Sequence, residues 1–208
     1  MNDPFDCLRI LDRPYSDSEL DSFKGFAELS PFLKRYVDVS NDVLREHLND
    51  IRRQHIRRWA FCALSESPDN ILMWSHYANA HRGIVIGYEF ENLGNRMTFQ
   101  KVKYQDYLDE FNWLEFGRFM DGEEGFGSKI LEDLSLKLKE WEYEKEWRIW
   151  ANGEGYYYYS KNEIKEVYFG INCQKDTKML VARIMELPED VKIYEMDTRR
   201  KPFRLVAD

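Results

Sequence analysis

Ser67-Pro68-Asp69-Asn70-Ile71-Leu72-Met73-Trp74-Ser75-His76-Tyr77-Ala78-Asn79-Ala80-His81-Arg82-Gly83-Ile84-Val85-Ile86-Gly87-Tyr88-Glu89-Phe90 holds a helical pattern, a stop and a strand pattern in immediate succession. Ser67-Pro68 offers a cap and first position for a helix through Leu72, Trp74, Tyr77 and Ala78. Gly83 should end it, and Ile84 to Phe90 reads as a central strand.

The same alternation continues outward, irregularly. Ser18 to Leu29 suits a short helix in an otherwise loop-rich first forty residues. A clear helix follows: Ser40 can cap it, and Leu44, Leu48, Ile51, His55 and Trp59 recur at three- and four-residue steps. Trp59 to Leu64 reads as a buried strand, and Val102 to Tyr107 as another. Asp121 to Gly127 reads as a flexible acidic loop. Ile130, Leu131, Leu134, Leu138 and Trp141 then have helical spacing. Glu146 to Ala151 is β-capable, with a turn at Asn152-Gly153-Glu154-Gly155 and Tyr156 to Tyr159 as a hairpin partner. Val167 to Gly170 is a strand, Thr177 to Glu186 a helix, and Val191 to Met196 and Phe203 to Val206 are two last strands. This order predicts one α+β domain over residues 1–208, with a mixed or mostly antiparallel sheet flanked by helices.

Composition bounds the function. The 208 residues suffice for a buried core, and 15% aromatic content supplies large apolar area with few rotors. A net charge of −8 argues against whole-surface attraction to nucleic acid or to an anionic membrane. No apolar run approaches the roughly 20 residues that span a bilayer, and the start has no basic or apolar leader pattern. Cys7, Cys62 and Cys173 are scattered and odd in number, which fits a reducing cytoplasm better than a disulfide framework.

Two segments could carry chemistry. In the first, a continuous helix would put Trp74, Tyr77, Ala78 and His81 on one stripe, with His76 on another face. Trp74 and Tyr77 then serve either as core or as a ligand-facing surface. His81 or His76 could present a donor or acceptor to a ligand where helix meets strand. Zinc is poorly supported, since the histidines stand five apart with no third ligand marked.

The second segment is Trp141-Glu142-Tyr143-Glu144-Lys145-Glu146-Trp147-Arg148. If extended, it points Glu142, Glu144, Glu146 and Arg148 to one face. Neighbouring carboxylates there could do acid/base work or hold a developing cation. If helical, Glu142 and Glu146 lie along one solvated side. Two basic clusters, Arg52 to Arg58 and Arg199 to Arg204, read either as a helix end and a turn or as local phosphate clamps.

Asn2-Asp3-Pro4-Phe5-Asp6, Met73-Trp74-Ser75-His76-Tyr77-Ala78 with His81 and Gly83, and Trp141 to Arg148 together resemble a large, mostly bacterial family, domain of unknown function 2971. Ile164 to Gly170 resembles that family's closing strand. The resemblance implies a cytoplasmic protein from mobile or defence-related contexts. Members usually carry a strand-like segment before the Asn-Asp-Pro-Phe-Asp motif, so the start here is expected either to be truncated or misassigned, or to lack that element.

A more distant analogy is to ADP-ribosyltransferase-like proteins. Carried over by position, it implies His81 or His76 and Tyr77 as substrate-binding residues and Glu146 or Glu144 as the carboxylate that stabilises an oxocarbenium-like ribose. Arg148 or Glu144 would orient that carboxylate, and Trp74 would line the substrate site. The expected function is a nucleotide- or NAD-binding effector linked to phage defence, with no metal. The alternatives are a non-catalytic binding or regulatory module and a nucleic-acid-processing protein that uses the arginine clusters.

Overall fold

The computed structural model describes residues 15–56, 59–90, 97–107, 126–152, 160–200 and 203–207. Its helices and its mixed or antiparallel strands make the chain α+β. Both halves of the fold are discontinuous in sequence: Met1–Ala63, Met97–Glu142 and Trp147–Glu154 form one compact unit, and Leu64–Arg96, Tyr143–Glu146 and Gly155–Asp208 form a second.

Unit 1 begins with helix α1, Asp17–Ala27, where Ser16 and Glu19 close a reciprocal capping box. Leu20, Phe23 and Ala27 form its buried stripe. Helix α2, Asn41–Ile56, buries Leu44 and Leu48, as their four-residue spacing predicts. Strand β1, Trp59–Ser65, holds Trp59, which thus leaves the helical pattern it had extended in sequence.

Helix α3, Ile71–Tyr77, and strand β2, Ile84–Tyr88, belong to unit 2. Back in unit 1, β3, Met97–Lys101, pairs antiparallel with β6, Glu146–Asn152, in a sheet of order β1-β6-β3. Short β4, Lys103–Gln105, pairs parallel with β5, Leu136–Leu138.

That pairing corrects one expectation. The helical spacing from Ile130 to Trp141 ends early, since α4 covers only Phe126–Asp133. Leu136–Leu138 satisfies its backbone against a strand more than thirty residues away, and Lys139–Glu144 then closes into 3-10 turns. Tertiary pairing overrides local period here. The hairpin partner expected at Tyr156 to Tyr159, the start of the expected acidic loop and the Asn-Asp-Pro-Phe-Asp motif lie outside the described residues.

Unit 2 is a four-stranded mixed sheet of order β2-β7-β8-β9, where β7 is Ile164–Phe169, β8 Lys192–Arg200 and β9 Phe203–Ala207. β2 and β7 run antiparallel, β7 and β8 parallel, β8 and β9 antiparallel. One face carries Val85, Tyr168, Tyr194 and Met196 and is covered by Trp74 and Ala78. The opposite face carries Ile84, Ile86, Val167 and Phe169, covered by Val181 and Met185 of helix α5, Lys175–Met185. Ile84-Val85-Ile86 is therefore apolar because both its faces are covered. The strand lies at the sheet's edge, not at its centre, and β7 takes the interior place.

Candidate functional site

Helix α3 does not start where Ser67-Pro68 suggested. Asn70 caps it, accepting from the Leu72 and Met73 amides at 2.9 and 3.2 Å. Nor does the helix run on to His81. It ends at Tyr77, and Asn79, Ala80 and His81 follow with φ of 49°, 52° and 65°. Three successive left-handed residues without a glycine are costly for L-amino acids.

The reversal is secured by backbone bonds. The His81 amide donates to the Trp74 carbonyl at 3.1 Å and the Gly83 amide to the Ala78 carbonyl at 2.8 Å. The His81 carbonyl accepts from the Asn172 amide at 3.0 Å. His81 thus returns over Trp74, their rings stacked at 6.4 Å and 11°.

This geometry divides the expected stripe. Trp74 is buried, 1% exposed, with its indole N–H donating to the Pro68 carbonyl at 2.6 Å. Ala78 is buried beside it, whereas Tyr77 is 53% exposed. His76 is exposed and meets the Tyr77 ring edge to face at 6.3 Å.

Ser75 sits between helix and turn. Its hydroxyl donates to the Ile71 carbonyl at 2.9 Å and lies 3.0 Å from His81 Nε2. With the single hydroxyl proton committed to Ile71, Ser75 Oγ is left to accept from His81 Nε2. His81 Nδ1 is buried and has no hydrogen-bond partner among the described residues.

The second segment is neither wholly extended nor wholly helical. Glu142 and Glu144 lie in the 3-10 turns, Lys145 reverses the chain with φ of 45°, and the strand starts at Glu146. Glu142 is exposed, while Glu144 and Glu146 are both buried, at 2% and 4% exposure.

The residues 65–70 hold this reversal by three successive carbonyls. Asn70 Nδ2 donates to the Tyr143 carbonyl at 2.8 Å, Ser65 Oγ to the Glu144 carbonyl at 2.7 Å, and the Glu66 amide to the Lys145 carbonyl at 3.2 Å. The two segments then meet side chain to side chain. The Tyr77 hydroxyl donates to Glu144 Oε1 at 2.7 Å, a short bond to a buried carboxylate.

Arg148 lies in unit 1 at 0% exposure, its Nη1 donating to the Leu134 carbonyl at 2.5 Å and its guanidinium 4.3 Å from the Phe61 ring centroid. Its geometry is that of a core residue. Of the basic clusters, Arg53 is exposed and 3.8 Å from Asp50.

Residues that sequence reasoning passed over also belong to unit 2. Asn70 is one, and its signal was visible: an Asn immediately before Ile71-Leu72 is a ready cap. Glu166 and Tyr168 form another pair, the phenol donating to Glu166 Oε2 at 2.7 Å. Burial, and then that carboxylate, push the Tyr168 phenol well above the ordinary tyrosine range. Glu166 and Tyr168 share one face of β7, and nothing in sequence placed that face beneath Trp74.

Strain points the same way as the contacts. Of the five non-glycine residues with positive φ among the described ones, Asn79, Ala80, His81 and Lys145 lie in the two segments, and only Glu186 lies elsewhere. Such residues persist where the surroundings over-determine them, and they cluster at ligand sites.

Residues 73–149 match the model of a family described as "Protein of unknown function (DUF2971)". The matched span holds both segments, from Met73 to Arg148, and supports the resemblance drawn from their motifs. No curated protein and no solved structure matches the chain. Among the described residues no helix is long and apolar enough to cross a membrane.

Proposed function

We propose that unit 2 binds a nucleotide of the NAD class and cleaves its nicotinamide–ribose bond, passing ADP-ribose to water or to an acceptor nucleophile. The observation that carries the reading is the Tyr77–Glu144 bond, which sets an exposed phenol ring against a buried carboxylate. Oxidised nicotinamide is a planar cation, and an aromatic face with a carboxylate behind it is suited to such a group. As the glycosidic bond breaks, nicotinamide leaves with the electron pair and the ribose carbon becomes cationic. In this reading Glu144, with Glu146 two residues on, stabilises that charge; both carboxylates are buried, where their field is little screened. His76, beside Tyr77, and His81, bonded to Ser75, are the remaining substrate-binding candidates. Arg148 has no chemical role in this reading.

The family resemblance extends the proposal to an effector in phage defence, where loss of NAD would halt the infected cell. The test is NAD binding by calorimetry together with nicotinamide release, in the parent protein and in Glu144→Gln, Glu146→Gln and Tyr77→Ala. Binding that Tyr77→Ala weakens and turnover that Glu144→Gln abolishes are the expected results. Absence of any NAD binding at millimolar ligand overturns the proposal.

A second reading, a non-catalytic module in which both segments serve the fold, is favoured by one observation. Trp74 and Arg148, each prominent in its motif, are both fully buried. It predicts that Glu144→Gln alters stability and leaves every ligand titration flat.

A further inference from the structure

We infer that Asn70 is a positioning residue for Glu144, acting as helix cap and carboxylate clamp at once. Its Oδ1 accepts the Leu72 and Met73 amides and so fixes where α3 begins. The position of Tyr77 depends on that start, because it sits at the end of the same seven-residue helix. The other end of the same amide, Nδ2, donates to the Tyr143 carbonyl at 2.8 Å. Tyr143 immediately precedes Glu144, whose own carbonyl accepts from Ser65 Oγ at 2.7 Å. One planar side chain therefore sets both partners of the 2.7 Å Tyr77–Glu144 bond.

Only an amide supplies an acceptor and a donor in that fixed relation. A carboxylate could cap the helix as well but would turn an oxygen toward the Tyr143 carbonyl. A hydroxyl could cap but lacks the second arm. Asn70 thus does two separable things, and the substitution to Asp separates them.

The inference rests on the proposed site for its link to NAD, but its first test does not need the ligand. The ring carbon shift of Tyr77 in the ligand-free protein, compared by NMR with that in Glu144→Ala, reports their bond. In Asn70→Asp the helix should persist by circular dichroism while the Tyr77 shift moves to its value in Glu144→Ala. A folded Asn70→Asp with the parental Tyr77 shift overturns the inference.

Asn70→Ser is the companion variant: its hydroxyl keeps the α3 cap and lacks the second arm. It should move the Tyr77 shift in the same way, and it decides the matter if Asn70→Asp does not fold: a parental Tyr77 shift in Asn70→Ser then overturns the inference. NAD affinity, measured alongside, should fall about tenfold in Asn70→Asp. If the Tyr77 shift moves as expected while the parent protein shows no NAD binding at all, the positioning role stands and the NAD reading falls.

Discussion

A methyl group built on Gly170 would come within 2.2 Å of the His81 carbonyl oxygen and 3.1 Å of the Trp74 ring. The strand end therefore passes directly beneath the left-handed turn, and the Gly170 amide donates to the Gly83 carbonyl at 3.0 Å. Neither neighbour has room to yield, because the His81 carbonyl is held by Asn172 and Trp74 is buried. Gly170→Ala should cost about 3 kcal/mol or more. Urea denaturation checks this, with a lower midpoint at unchanged slope.

Lys145 gives the opposite sign. Its φ of 45° opposes its Cβ, and the bond that fixes it, from the Glu66 amide to its carbonyl, uses backbone alone. Lys145→Gly should stabilise the protein by about 0.5–1 kcal/mol, the left-handed strain relieved exceeding the added chain entropy. Lys145→Val should destabilise by about 1–3 kcal/mol. Thermal melts of the pair provide the comparison. A loss of stability in the glycine variant would show that the Lys145 side chain, not the turn, holds the segment.

Arg148 separates structure from chemistry. Truncation to Ala would leave the Leu134 carbonyl without its guanidinium donor and a void against Phe61. The expected cost is about 3 kcal/mol or more, with Lys recovering only part because it lacks the planar fork. A chemical role would instead lower activity in a protein of normal stability, so equilibrium unfolding measured beside nicotinamide release distinguishes the two.

How much of this was readable in advance depends on range. The helices at Asp17–Ala27, Asn41–Ile56 and Lys175–Met185 and the strand at Ile164–Phe169 follow from local period and caps, and lie within a few residues of expectation. The helix expected through Trp141 failed because Leu136–Leu138 pairs with Lys103–Gln105, a partner no local pattern announces. The run from Glu142 to Arg148 failed both alternatives, since a left-handed Lys145 breaks the period in its middle. Its consequence is that Glu146 and Arg148 are buried as extended neighbours, while Glu144 turns to Tyr77. Within the candidate site, Tyr77 and Glu144 were named from their residue types. Their meeting, and the part Asn70 plays in it, depends on contacts about seventy residues apart in sequence.

Tyr77→Phe tests that meeting by stability alone. The ring keeps its place, but the buried Glu144 carboxylate loses a charge-assisted donor. A cost of about 1.5–3 kcal/mol is expected, and chemical denaturation of the two proteins measures it.

Tyr168 contributes to the alkaline sensitivity of unit 2. Its phenol is raised far above the ordinary value by burial and by its bond to Glu166. The unfolded chain therefore releases this proton above about pH 10 while the folded chain keeps it, so the folded state binds more protons there. The contribution is complete below the unfolded value and is lost as pH rises through the folded one. Melting temperature should thus fall steeply above about pH 10 in the parent protein and less steeply in Tyr168→Phe, which has no phenol to ionise. Equal alkaline slopes in the two proteins would mean that Tyr168 ionises as freely in the folded state as in the unfolded chain.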